Sequence, residues 1–156
     1  MSSGTHVFRF SLTTLFGMVL FAAFGTAAIR FASPLWAGLT MAVTVPLLFA
    51  AILGALFRLG QARAFWTGMA VCGWGYLVVV MAPWLETGLG QHLPTSYLLN
   101  HIHGQIQKQL HGAGPSTELV LRTGHALFAL LFGFIGGVTA KWLYLTRPPR
   151  EERRQD

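Results

Sequence analysis

The sequence predicts an all-α polytopic membrane protein: four transmembrane helices, with an outer interfacial amphipathic helix between the third and the fourth. Three observations carry this. The 156 residues are 53% hydrophobic and only 10% charged, where soluble domains average about a quarter charged. A spanning helix needs about 20 mainly apolar residues, and four runs provide them, at 12–29, 35–57, 65–85 and 119–145. The Lys and Arg that give a net charge of +6 punctuate these runs instead of clustering on a polar segment, which argues against nucleic acid as a partner.

The first run follows Arg9 and ends in the small residues Thr26, Ala27 and Ala28, a pattern shared with secretory signals. Its apolar length of about 18 residues exceeds the 7 to 15 of a signal core, so it reads as a retained anchor. In the second run, Pro46 removes a helix donor and frees the Ala42 carbonyl; Thr44 stands near enough to help satisfy it. The third run places Gly68, Cys72 and Tyr76 on one face, with Gly73 and Gly75 thinning the helix, and Pro83 frees the Val79 carbonyl near its end. Cys72 is the single cysteine. No intrachain disulfide is possible, and Cys72 reads as a small packing residue, since nothing near it in sequence would lower a thiol pKa.

The loop at 86–118 is too long for a minimal connection and is patterned for a helix over about 96–111, with Pro94 and Thr95 or Ser96 at its start and Gly112 and Pro115 at its stop. Leu98, Leu99, Ile102, Ile106 and Leu110 recur at three- and four-residue spacing and form a docking stripe for the headgroup boundary or the bundle. The same stretch, NHIHGQIQKQLHG, holds His101, His103 and His111. On a helix His101 and His103 point to nearly opposite sides, and His103 and His111 lie roughly 12 Å apart along the axis, so neither pair chelates one ion. Gly104 is the weak point of this helix, because a glycine in mid-helix costs about 1 kcal/mol.

In the fourth run Ala129, Gly133 and Gly137 recur every fourth residue, with Gly136 and Ala140 beside them. Small residues let helix backbones approach closely in lipid, so Gly68, Cys72, Ala129, Gly133 and Gly137 are the expected packing positions. His125 lies inside the outer end of this run, one turn beyond Arg122, and an ionisable residue at such depth is a functional candidate. Trp36, Trp66, Trp84, Trp142 and Tyr144 fall near the ends of runs, as interfacial anchors do. Residues 1–145 thus form the transmembrane domain and 146–156 a basic tail that Pro148 and Pro149 set off from the last helix.

Orientation follows from the cations. Arg9, Arg58, Arg63, Lys141, Arg147, Arg150, Arg153 and Arg154 fall on one side and Arg30, Lys108 and Arg122 on the other, eight against three. Cytoplasmic loops carry the excess, so both termini are expected in the cytoplasm.

The segments FRFSLTTLF, GWGYL with the later HLPT, and GHALFALLFGFIGG together resemble small uncharacterised membrane proteins of planctomycete-type bacteria. The resemblance covers most of the chain and implies a bacterial inner-membrane setting, with no activity attached.

No serine elbow, Walker loop or dinucleotide fingerprint occurs, and no carboxylate lies within a run. The expected role is that of a small accessory or scaffold subunit, with the lipid bilayer, other membrane subunits or further copies of itself as partners and no cofactor. The alternative is a redox or metal-handling protein that holds haem or a transition metal through His125 with His92, His101, His103 or His111. Haem would want a second ligand, for which Met81 or His92 is available. A third possibility is a small oligomeric transporter.

Overall fold

The computed structural model describes residues 12–81, 93–111 and 113–146. Among these it contains five helices: α1 (Leu12–Arg30), α2 (Pro34–Phe57), α3 (Gly60–Met81), α4 (Pro94–Gln109) and α5 (Thr117–Thr146). The sequence readings of His92, Pro83, Trp84 and the tail fall outside the described residues. Helices α2, α3 and α5 are each long and apolar enough to cross a membrane.

Local chemistry sets most of the helix limits. Ser33 starts α2 by accepting a hydrogen bond from the Trp36 amide at 3.3 Å, and Pro34 follows at a position where a missing N–H costs nothing. The helix then runs unbroken through Pro46. Thr44, expected to help the carbonyl that Pro46 frees, instead donates across to the Ala126 carbonyl of α5 at 3.4 Å. The link between α2 and α3 is shorter than the sequence suggested. The third helix begins at Gly60, so only Arg58 and Leu59 form the turn and Arg63 lies on α3. Gly60 sits at φ +60, a left-handed conformation that glycine adopts without strain, which lets two residues reverse the chain.

The contacts fix the topology. Gly54 meets Trp66 and Leu48 meets Gly73, so α2 and α3 are antiparallel; Gly73 lies by Ala129 and Gly68 by Gly136, so α3 and α5 are antiparallel as well. Gly25 of α1 faces Leu127 and Phe24 packs edge-on to Trp36 at 5.4 Å. The start of α1, the α2–α3 turn and the end of α5 therefore share one end of the bundle.

The α3–α5 seam is the tightest contact. A β-carbon on Gly68 would overlap the Gly136 carbonyl, and one on Gly136 would fall 2.7 Å from the Gly68 oxygen and onto the Cys72 sulfur. A β-carbon on Gly137 would stand 2.9 Å from the Phe65 oxygen, and Gly133 rests against Met69 and Gly73. Ala129 is fully buried with Leu48 and Leu77, where Trp74 and Tyr76 pack against them. Cys72 is exposed and lies at the margin of the seam; Gly73, whose β-carbon would strike Leu48, occupies its centre.

Helix α4 does not stand apart from the bundle. Ser96 meets His125, Leu99 fills the space at Gly124, and His103 reaches Thr117. Partner numbers on α5 fall as those on α4 rise, so α4 runs antiparallel along the first turns of α5. A helix of 30 residues is about 45 Å long, against a hydrocarbon thickness of about 30 Å. Helix α5 thus has turns to spare, and its first ones carry α4.

These glycines separate two outcomes. Gly68→Ala should lower the midpoint of thermal unfolding in detergent, since overpacking against a backbone carbonyl costs about 1–3 kcal/mol. Gly104→Ala should raise it, because its β-carbon meets nothing within 4 Å and alanine favours the helix by about 0.5–1 kcal/mol. Equal shifts of the same sign would contradict the seam.

A buried polar junction as candidate functional site

Three helices place their polar side chains at one point. Tyr76 stands on α3 about a turn before its end, His125 on α5 two turns from its start, and Thr95 and Ser96 in the first turn of α4. The Tyr76 hydroxyl lies 2.8 Å from His125 Nδ1 and 3.0 Å from Thr95 Oγ1, while Ser96 Oγ lies 3.3 Å from His125 Nε2. Ser96 is 3% exposed and His125 7%. One proton order satisfies every member. Tyr76 donates to Thr95, His125 Nδ1–H donates to the Tyr76 oxygen, and Ser96 donates to Nε2; reversing all three gives the other tautomer. Phe132 and Phe128 flank Tyr76 with ring centroids at 5.0 and 6.4 Å, closing the apolar side.

The cause is the cost of an unpaired polar group. Tyr76 and His125 belong to mainly apolar helices, and a buried hydroxyl or imidazole without a partner costs about 1–3 kcal/mol. Thr95 and Ser96 supply those partners, while Leu93, the residue at the cap position of α4, gives no side-chain cap. Two other buried groups, Trp74 Nε1 and Thr123 Oγ1, have no hydrogen-bond partner among the described residues.

A second polar clamp holds the far end of α4. Gln107 donates to the Pro115 carbonyl at 3.0 Å and its amide nitrogen lies 3.1 Å from His103 Nε2. The Gly114 amide donates to Gln107 Oε1 at 3.3 Å, and His103 Nδ1 lies 3.4 Å from the Thr117 hydroxyl. His103 therefore ties α4 to the connection into α5.

The residues singled out in the sequence divide accordingly. His125 is at the junction, His103 is in the clamp, and His101 is exposed on the far side of α4. His111 is exposed beyond the helix end at φ 50, a conformation that glycine usually takes there. Of the docking stripe, Leu99 is fully buried and Ile102 and Ile106 turn toward α1 and α5, while Leu98 and Leu110 remain 48% and 36% exposed. Met81 is exposed at the end of α3. A metal ion or haem iron could reach His125 only by displacing Ser96 from Nε2 or Tyr76 from Nδ1. Among the described residues no three of His, Cys, Asp and Glu stand close enough to share an ion.

Tyr76, Thr95, Ser96 and Gln107 were not read as site residues from sequence. The available signal was a tyrosine and a histidine near the outer ends of two apolar runs, each with a polar tip that a low-dielectric surrounding obliges to pair. No family model, curated protein or solved structure matches the chain.

If the junction holds α4 in place, Tyr76→Phe should speed amide exchange over the first turns of α4 by an order of magnitude or more, because it removes the partner of both the Thr95 hydroxyl and His125 Nδ1. Thr95→Val removes one bond and should have a smaller effect. Exchange unchanged in both variants would show that the junction does not hold the helix.

Proposed function

We propose that the protein is an accessory or scaffold subunit of the bacterial inner membrane that presents α4 to a membrane-protein partner. In this reading α1, 19 residues and about 28 Å long, is a fourth span beside α2, α3 and α5. Both termini face the cytoplasm, as the eight-to-three division of cations implies. The bacterial setting follows the resemblance of the sequence.

One observation carries the proposal: α4 is held at both ends by polar contacts while its outward face is left open. Leu98, Asn100, His101, Gln105 and Lys108 are exposed on a helix that the junction fixes at one end and the Gln107 clamp at the other. A helix needed only to link α3 to α5 could be mobile, whereas one that binds a partner gains affinity from being ordered beforehand. Side-chain chemistry suits association better than catalysis, since the hydroxyls and imidazole of the junction are mutually satisfied. Haem or a transition metal held by His125 would require breaking that set, and a transporter role would require several copies, because four helices leave little room for a pore.

Co-purification from native membranes tests the reading. Leu98→Asp combined with His101→Ala should leave stability within about 0.5 kcal/mol of the wild type, as surface changes do, and should reduce co-purifying membrane proteins several-fold. Partners retained by that variant, together with a Soret band or stoichiometric metal lost on His125→Ala, would replace this reading with the cofactor one.

A further inference from the structure

A cleft of about 530 Å³ opens between α1, α4 and α5, within the size range of small-molecule sites. Its walls are apolar, with Phe21 and Ala22 on α1, Ile102 and Ile106 on α4, and Phe128 and Leu131 on α5. Three polar side chains line it as well: Thr26, whose hydroxyl donates to the Ala22 carbonyl of its own helix, Arg30 at the last position of α1 and Gln109 at the last of α4. Along α1 the cleft extends from Phe21 to Arg30, nine residue steps or about 14 Å. One leaflet of a bilayer is about 15 Å of hydrocarbon, half of the full thickness. The cleft is thus as deep as a leaflet, with its cation at one end.

Arg30 stands on the side of the protein that is poor in cations. Its place in the last turn of α1 complements the helix dipole, but that role does not require a cleft beside it. The Gln109 amide, from a different helix, lines the same space. A guanidinium and an amide N–H₂ both donate hydrogen bonds, and together with an apolar shaft they fit a molecule with an anionic head and a hydrocarbon tail.

We propose that this cleft is a site for one anionic glycerophospholipid of the outer leaflet, an acyl chain lying along Phe21, Ile102, Phe128 and Leu131 and the phosphate meeting Arg30 and Gln109. The lipid completes the contact between α1 and the rest of the bundle. The proposal rests on α1 being a fourth span and is independent of what α4 binds.

Native mass spectrometry of the delipidated full chain in detergent tests it, with phosphatidylglycerol, phosphatidylcholine or inorganic phosphate added. The wild type should retain one phosphatidylglycerol per chain at concentrations where phosphatidylcholine is retained at least fivefold less, and inorganic phosphate should not displace it. Arg30→Gln should abolish the preference between the two lipids, and Ala22→Trp, which fills the shaft, should reduce retention of both. Arg63→Gln, at the opposite end of the bundle, should leave binding unchanged. Equal retention of the two lipids by the wild type, an Arg30→Gln variant that keeps its preference, or displacement by phosphate alone would overturn the site. A cysteine in place of Phe16, in a Cys72→Ala background, separates the two readings in intact membranes. Protection from an impermeant maleimide without lipid preference overturns the lipid site alone, and labelling overturns the fourth span with it.

Discussion

The close approach of α3 and α5 is the constraint on which the rest of the structure depends. Apolar side chains gain little by leaving lipid for another helix, so the attraction comes from dispersion between backbones that can come near enough. Gly68 and Gly136 allow this reciprocally, each lacking a β-carbon where the other's carbonyl lies. The notch at Gly73 then admits Leu48 of α2, which packs with Leu77 and Ala129, while Thr44 of the same helix meets the Ala126 carbonyl. The seam also fixes a register. It sets Tyr76 level with His125, and a slip by one turn, about 5.4 Å, would pull that 2.8 Å pair apart.

The polar junction depends on where α4 starts. Its cap position is Leu93, whose side chain has no acceptor, so α4 starts uncapped and Thr95 and Ser96 lie inside its first turn. Their hydroxyls go to Tyr76 and His125. Buried polar groups left unpaired would cost about 1–3 kcal/mol each, and the junction removes that cost. The same side chains thereby decide where α4 lies, because they hold its first turn against α3 and α5.

Sequence made the helical class legible because the apolar runs are long and need no partner to be recognised. It also exposed the stripe of Ala129, Gly133 and Gly137, which lies on the α5 face that meets α3. The matching face of α3 was harder to read: Gly68 is in the seam, but Cys72 is at its exposed margin and Gly73 takes the centre. A helix of 3.6 residues per turn with glycine at 68, 73 and 75 offers several faces, and only the opposing helix selects one. The course of α4 was illegible for a related reason. An apolar stripe suits a membrane surface and a helix surface equally, and what decides between them is Leu99 at Gly124, a pair separated by 25 positions that nothing in either segment announces. Tyr76 went unread as a site residue because a tyrosine in an apolar run is as readily a packing residue as a donor.

The rule that closes α3 on α5 also keeps α1 at a distance. Axis separation is set by the side chains at the contact, and where α1 meets α5 Gly25 faces the side chain of Leu127. Around that point stand Phe21 on one side and Phe128 and Leu131 on the other, all lining the open cleft. Large residues on both faces hold the two helices apart, where paired glycines would have drawn them together. Most of α1 is accordingly exposed, including Leu15, Phe16, Val19 and Leu20. The chain thus has one side built to exclude everything but its own backbone and another whose own side chains leave space, and that difference can be traced to which helices carry glycine at the facing positions.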